Sequence, residues 1–139
     1  MFKLIQSCLF LLFLNAPAVA HHWFQENHDI ETYVTVEMEV SRNRFINPHP
    51  FFYAKVIDPI DASIVQYGNL TQEWELQMDN RWELQEIGFD SDTFRPGDKI
   101  VVTAHPGIHK KNILYVKAIN HPRLEFRYEH NVRQFLPLE

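Results

Sequence analysis

Histidine is the residue type best placed to do chemistry in this chain. There are eight, His21, His22, His28, His49, His105, His109, His121 and His130, against a single cysteine, Cys8. A site built from them would hold a metal through imidazole without thiolate, a donor set that suits copper, zinc or nickel. His21 and His22 directly follow a segment that reads as a removable leader. If the chain is cut after Ala20, His21 gains a free α-amine, and amine plus ring chelate one metal ion. A second imidazole, from the body, would complete a T-shaped copper site. Alternatively, His22 in second position binds Cu(II) through amine, amide nitrogen and ring. An α-amine pKa of about 7.7–8.0 leaves the neutral form accessible at neutral pH. His49 is the expected body ligand, so the candidate metal set is His21, His22 and His49, with copper, or else zinc, as the cofactor. The other histidines invite plainer readings. His105 and His109 look like solvated loop residues, and His121 and His130 like surface residues. His49 itself serves equally well as a hydrogen-bonding residue of its turn.

The leader is read from three features. Lys3 is the positive start, residues 4–14 are an apolar run broken only by Gln6 and Ser7, and Ala18-Val19-Ala20 supplies the small residues of a cleavage site. The run is shorter than the roughly 20 apolar residues a membrane span needs. Residues 1–20 are therefore expected to be a signal peptide, and the product to be exported, in a bacterial cell to the periplasm. Removing the leader removes Lys3 and Cys8. The whole chain has 13 basic and 18 acidic residues, so the remainder has 12 against 18, a net charge of −6. Such a balance excludes nucleic acid as a natural partner, because phosphate contacts need a Lys/Arg surface. No second segment is long and apolar enough to span a membrane.

The elements that would position these residues read as strands. Residues 21–139 suit a single domain, opening with a polar arm over 21–30. Residues 33–41 alternate, with Val34, Val36, Met38 and Val40 on one face and Thr35, Glu37, Glu39 and Ser41 on the other. After the Asn47-Pro48 turn, residues 49–57 form a second strand with aromatics on both faces, Phe52 on one and Phe51 and Tyr53 on the other. A third strand over 71–78 points Trp74, Leu76 and Met78 inward. Residues 79–87 are the one helical candidate, capped by Asp79 or Asn80 and ended by Gly88. A Pro96-Gly97 turn leads into a fourth strand over 99–105, a basic loop over 106–112, a fifth strand over 113–120, and a short edge strand over 124–128 before a polar tail.

Three strands, a helix and two or three strands predict an all-β fold, a small OB-fold-like five-stranded barrel with one short helix between strands 3 and 4. An open sandwich is the alternative. In the barrel, the loops joining strands 1–2 and 4–5 are expected at one end, near His49, His105 and His109, with the arm entering at the other. Extended, an arm of about ten residues reaches roughly 33 Å. Trp74 and Trp82 are expected in the core, and Glu73 and Glu75 on a solvated face.

The chain resembles an uncharacterised family of small exported bacterial proteins, domain of unknown function family 6152. The resemblance rests on His21-His22-Trp23-Phe24 after the leader, Asn47-Pro48-His49, Trp74-Glu75, Leu84 with Gly88, and Pro96-Gly97-Asp98, and spans residues 21–118. It departs from the family's pattern in lacking a glycine in the first strand, where Glu37-Met38-Glu39 stands, and an Asp-Gly turn after Asp58. The resemblance implies no activity. No nucleophile-elbow serine, phosphate-binding glycine loop or metalloprotease helix is present, so catalysis is not expected. Two functions remain open. One is transition-metal binding by the His-His terminus. The other is an interaction module whose aromatic strand-2 face, Phe51 and Tyr53, holds a peptide, glycan or partner protein. An oxidase using the same histidines would further need a redox-cycling metal and a substrate channel.

Overall fold

The structure, a computed structural model, describes residues 27–138. The expected signal peptide and two of the candidate metal ligands, His21 and His22, lie outside the described residues. Seven strands follow in chain order: β1 (Val34–Arg44), β2 (Phe51–Asp58), β3 (Glu73–Gln77), β4 (Lys99–Pro106), β5 (Ile113–His121), β6 (Phe126–Glu129) and β7 (Leu136–Pro137). One short helix, α1 (Arg81–Glu86), lies between β3 and β4. The sheet order is β3-β2-β1-β4-β5-β6-β7, and β3 also pairs with β5 in parallel. That last pairing closes β1 to β5 into the expected OB-like barrel, with β6 and β7 added beyond β5.

Alternation drives the closure. Val34, Val36, Met38 and Val40 of β1 point into the core with Phe52, Trp74, Leu76, Ile100, Val102, Leu114 and Val116. β1 serves two partners, because its 11 residues pair with β4 over 34–39 and with β2 over 37–44. Irregularities between Glu37 and Met38 and between Val40 and Arg42 bend the strand from one neighbour to the other. A similar irregularity in the β4–β5 ladder leaves Lys117 without an opposite residue and shifts the phase of β5. Ile119 and His121 therefore continue the inward face that Leu114 and Val116 begin.

Each end of the barrel is stoppered. At one end, Asn80 caps α1 by accepting the Glu83 amide at 3.0 Å, and Leu84 alone of the helix is buried. Gly88, at φ +103°, turns the chain out of the helix. At the other end the 3-10 turn Ala62–Gln66 inserts Ile64. Next to it Gly68 faces Trp74 so closely that a Cβ there would lie 2.7 Å from the indole ring.

Several expectations are corrected. Trp82 is not core but 72% exposed, because a helix of six residues buries only one stripe. The loops joining β1–β2 and β4–β5 are at opposite ends of the barrel, since β1 and β4 run antiparallel. The arm enters beside the β4–β5 loop. There the Asp29 amide donates to Pro106 O at 2.9 Å, the Ile108 amide to Asn27 O at 2.9 Å, and His28 bridges Gly107. The tail is not a free polar end either, as Phe135 stacks on Phe126 at 4.1 Å and Leu136 and Pro137 pair with β6.

Candidate binding site

Antiparallel register across β1, β2 and β3 arranges the outward side chains as a grid of three rows. They are Arg44–Phe51–Gln77, Arg42–Tyr53–Glu75 and Glu39–Lys55–Glu73. Phe51 and Tyr53 are half-buried, with rings 5.7 Å apart edge to face. The Arg42 guanidinium lies 3.7 Å above the Tyr53 ring and pairs with Glu73 at 3.0 Å. Glu75 accepts from the Tyr53 hydroxyl at 3.4 Å and from Gln77 Nε2 at 2.8 Å, with Lys110 Nζ 3.9 Å away. Lys110 belongs to the β4–β5 loop, so that loop borders the face at one end while the β1–β2 loop borders it at the other. In OB-folds this strand 2–3 face is the one that holds ligands.

The electrostatics agree with the geometry. The Ser41 hydroxyl first, and then the Arg42 guanidinium, hold the Glu73 carboxyl below its usual range. Burial, and next the Glu75 charge, push the Tyr53 hydroxyl up, so it stays protonated and donates. Glu73 and Glu75 are thus not the solvated pair expected from sequence, because each is held by neighbours on the same face.

Of the candidate metal ligands only His49 lies among the described residues. His49 is exposed in the β1–β2 loop, at the helix-capped end. The arm that leads from His21 and His22 is anchored at the opposite end, and the 11 residues of β1 span about 33 Å between the two. His109 is exposed in the β4–β5 loop, beside the anchored arm. The described residues hold no group of three or more His, Cys, Asp or Glu side chains placed to share a metal ion.

The remaining histidines are structural parts, and three of them correct the sequence reading. His105 is 4% exposed at the end of β4, with Nδ1 2.9 Å from Thr32 O and its ring 4.3 Å from Tyr33. His28 is buried, its ring 5.8 Å from Tyr115. His121, expected at the surface, is fully buried between Phe94 and Phe126. Its Nε2 lies 3.0 Å from Thr93 O and 3.2 Å from Asp98, while Nδ1 has no partner. That pattern assigns a neutral ring with the proton on Nε2. Burial lowers its pKa, and Asp98 does not offset this. Arg123 supplies the cation for Asp98 instead, at 2.6 and 2.8 Å. Burial alone would raise the Asp98 pKa, but the Arg123 side chain and the Arg95 amide outweigh it and lower it.

Sequence reasoning missed the role of a second, part-buried carboxylate, Asp79, and read it only as a possible helix cap. Asp79 accepts from the Tyr115 hydroxyl at 2.7 Å, the Tyr128 hydroxyl at 2.9 Å and His130 Nδ1 at 2.5 Å. Burial opposes its charge, yet those three donors keep its pKa low, while burial and the Asp79 charge raise both tyrosines. His130 is thereby tied to the barrel rather than left at the surface. No local signal in the sequence joins Asp79 to residues 36 to 51 positions downstream.

Residues 10–113 match DUF6152, described as a family of unknown function. No curated protein and no solved structure matches the chain significantly.

Proposed function

The chain belongs to the family of unknown function DUF6152, and we propose that it acts there as an exported binding module whose working surface is the outer face of β2 and β3. The observation that carries this reading is the pair of half-exposed rings, Phe51 and Tyr53, set in a grid of side chains that hold one another in place. Aromatic surface with a few fixed polar groups is the usual make-up of a ligand site. Export follows from the leader at 1–20, with the periplasm as destination. The direct test is an amide chemical-shift map of labelled protein titrated with a soluble periplasmic extract. Shifts are expected over 51–55 and 73–77, and shifts confined to other strands would sink the proposal. Intact mass of the exported protein tests the cut after Ala20.

A second reading, transition-metal binding by His21 and His22, is supported by the anchored arm. Asn27 is held at the β4–β5 loop, and five residues of chain from Asn27 to His22 reach about 17 Å. His109 follows Ile108 in that same loop and offers a body imidazole near the arm, as an alternative to His49. Exported protein beginning at His21 should take up Cu(II) or Zn(II) at micromolar levels under this reading, and failure to do so ends it.

A further inference from the structure

We infer that the ligand of the β2–β3 face is a neutral oligosaccharide. The inference deepens the proposed function and rests on its reading of that face. Three properties of the face narrow the ligand.

The first is charge. The grid holds Arg42, Arg44 and Lys55 against Glu39, Glu73 and Glu75, three charges of each sign. Arg42 pairs with Glu73, and Lys110 approaches Glu75. A face that neutralises itself offers no net field to a phosphate backbone or a strongly charged peptide.

The second is the absence of a free strand edge there. Extended peptides bind sheets chiefly by adding a strand, with main-chain hydrogen bonds supplying the affinity. β3 is flanked by β2 on one side and β5 on the other, and β2 by β1 and β3. The positions of Phe51, Tyr53, Glu75 and Gln77 are all paired on both sides, so a ligand seated on them is held by side chains.

The third is the chemistry of those side chains. The Phe51 ring is apolar and partly open, suited to the C–H face of a pyranose. Beside it lie the Glu75 carboxylate, which only accepts, and the Gln77 amide, which both donates and accepts. Gln77 Nε2, the Tyr53 hydroxyl and Lys110 fix Glu75 before any ligand arrives. Acceptor and donor side by side, already oriented, match the neighbouring hydroxyls of a sugar ring, and that preorganisation lowers the entropy lost on binding. Lys110 approaches Glu75 from the β4–β5 loop, and Arg44 stands opposite Phe51 on the same face.

The test is calorimetry of the purified protein with two neutral probes, the hexasaccharides of β-1,4-linked glucose and of β-1,4-linked N-acetylglucosamine. The structure predicts saturable binding of at least one. Phe51→Ala should weaken it roughly tenfold or more, Glu75→Gln should weaken it less, and Trp82→Ala, on the exposed side of α1, should leave it unchanged. Unchanged melting temperatures show that the variants fold. If neither hexasaccharide binds, the oligosaccharide is wrong. If an uncharged extended decapeptide binds instead and loses affinity with Phe51→Ala, the face survives as the working surface and only the ligand class falls. If sugar binds but Phe51→Ala has no effect, both the ligand assignment to this face and the reading beneath it fall.

Discussion

Glu75 and Asp79 stand four residues apart in the chain and meet opposite fates. Both are carboxylates approached by tyrosine hydroxyls. Asp79 is turned inward at the end of β3 and takes three donors from β5, β6 and the turn after it. Three of its roughly four acceptor positions are filled within the protein. Glu75 sits on the outer grid and takes a long 3.4 Å hydrogen bond from Tyr53 and one from Gln77, one protein donor fewer than Asp79, at a similar side-chain exposure of 19% against 15%. The first arrangement fastens the C-terminal strands to the barrel, and the second leaves hydrogen-bonding capacity in reserve. A polar cluster is read as a binding surface by that reserve, not by the residue types in it.

Stability measurements sharpen the contrast, beginning where the effect is greatest. Asp79→Ala should destabilise the fold by about 3–4 kcal/mol in urea titrations, since the hydroxyls of buried Tyr128 and half-buried Tyr115 and the His130 imidazole lose their acceptor together. Asp79→Asn keeps an acceptor oxygen and should cost less. The contrast would collapse if Glu75→Ala were equally damaging.

Acid should act in two steps. His121 has a folded pKa below its ordinary 6.5, so the unfolded chain binds the proton first. Stability is full above about 6.5 and declines as pH falls below it. Asp79 and Asp98 have folded pKa values below 3.8, so their contribution is present above that value and is lost as pH falls through the folded pKa. Denaturation midpoints followed from pH 8 to pH 2 should show the first step and the onset of the second, and His121→Leu should remove only the first.

Changes on the grid should matter least to folding. Phe51→Ala is expected to cost about 1 kcal/mol or less, because the ring is only half covered. Arg42→Ala should cost about 0.5 kcal/mol or less, since its pair with Glu73 is exposed. A larger loss from either would mean that the face is a structural part of the barrel and would weaken the case for a ligand there.

Much of the barrel is legible in the chain. Alternation in residues 33–41 and 99–105 marks the inward faces of β1 and β4, and Asn80 and Gly88 mark the ends of α1. The order of elements points to an OB-like closure. The covered positions are less legible. His121 is inward only because Lys117 interrupts the β4–β5 register and shifts the phase of everything after it. His130 is covered because the chain returns to Asp79, a pairing across 51 residues that no local pattern signals. Trp82 looked like core by its type, but its place on a six-residue helix turns it outward. The aromatic face was visible as Phe51 and Tyr53. Its framing by Arg42, Glu75 and Lys110 depends on register and on a loop from another part of the chain.

The parallel pairing of Glu75 to Gln77 with Ile113 to Tyr115 also has a consequence in time. β2, β1 and β3 can zip together as neighbours, but the last seam waits for a strand about 38 residues further on. Loop closure over that distance must come before the seam's own contacts reward it, which makes the step slow. A chain that emerges amino end first therefore passes through a stage with four strands laid down and the barrel still open. Until β5 arrives, β3 keeps one edge without a partner strand.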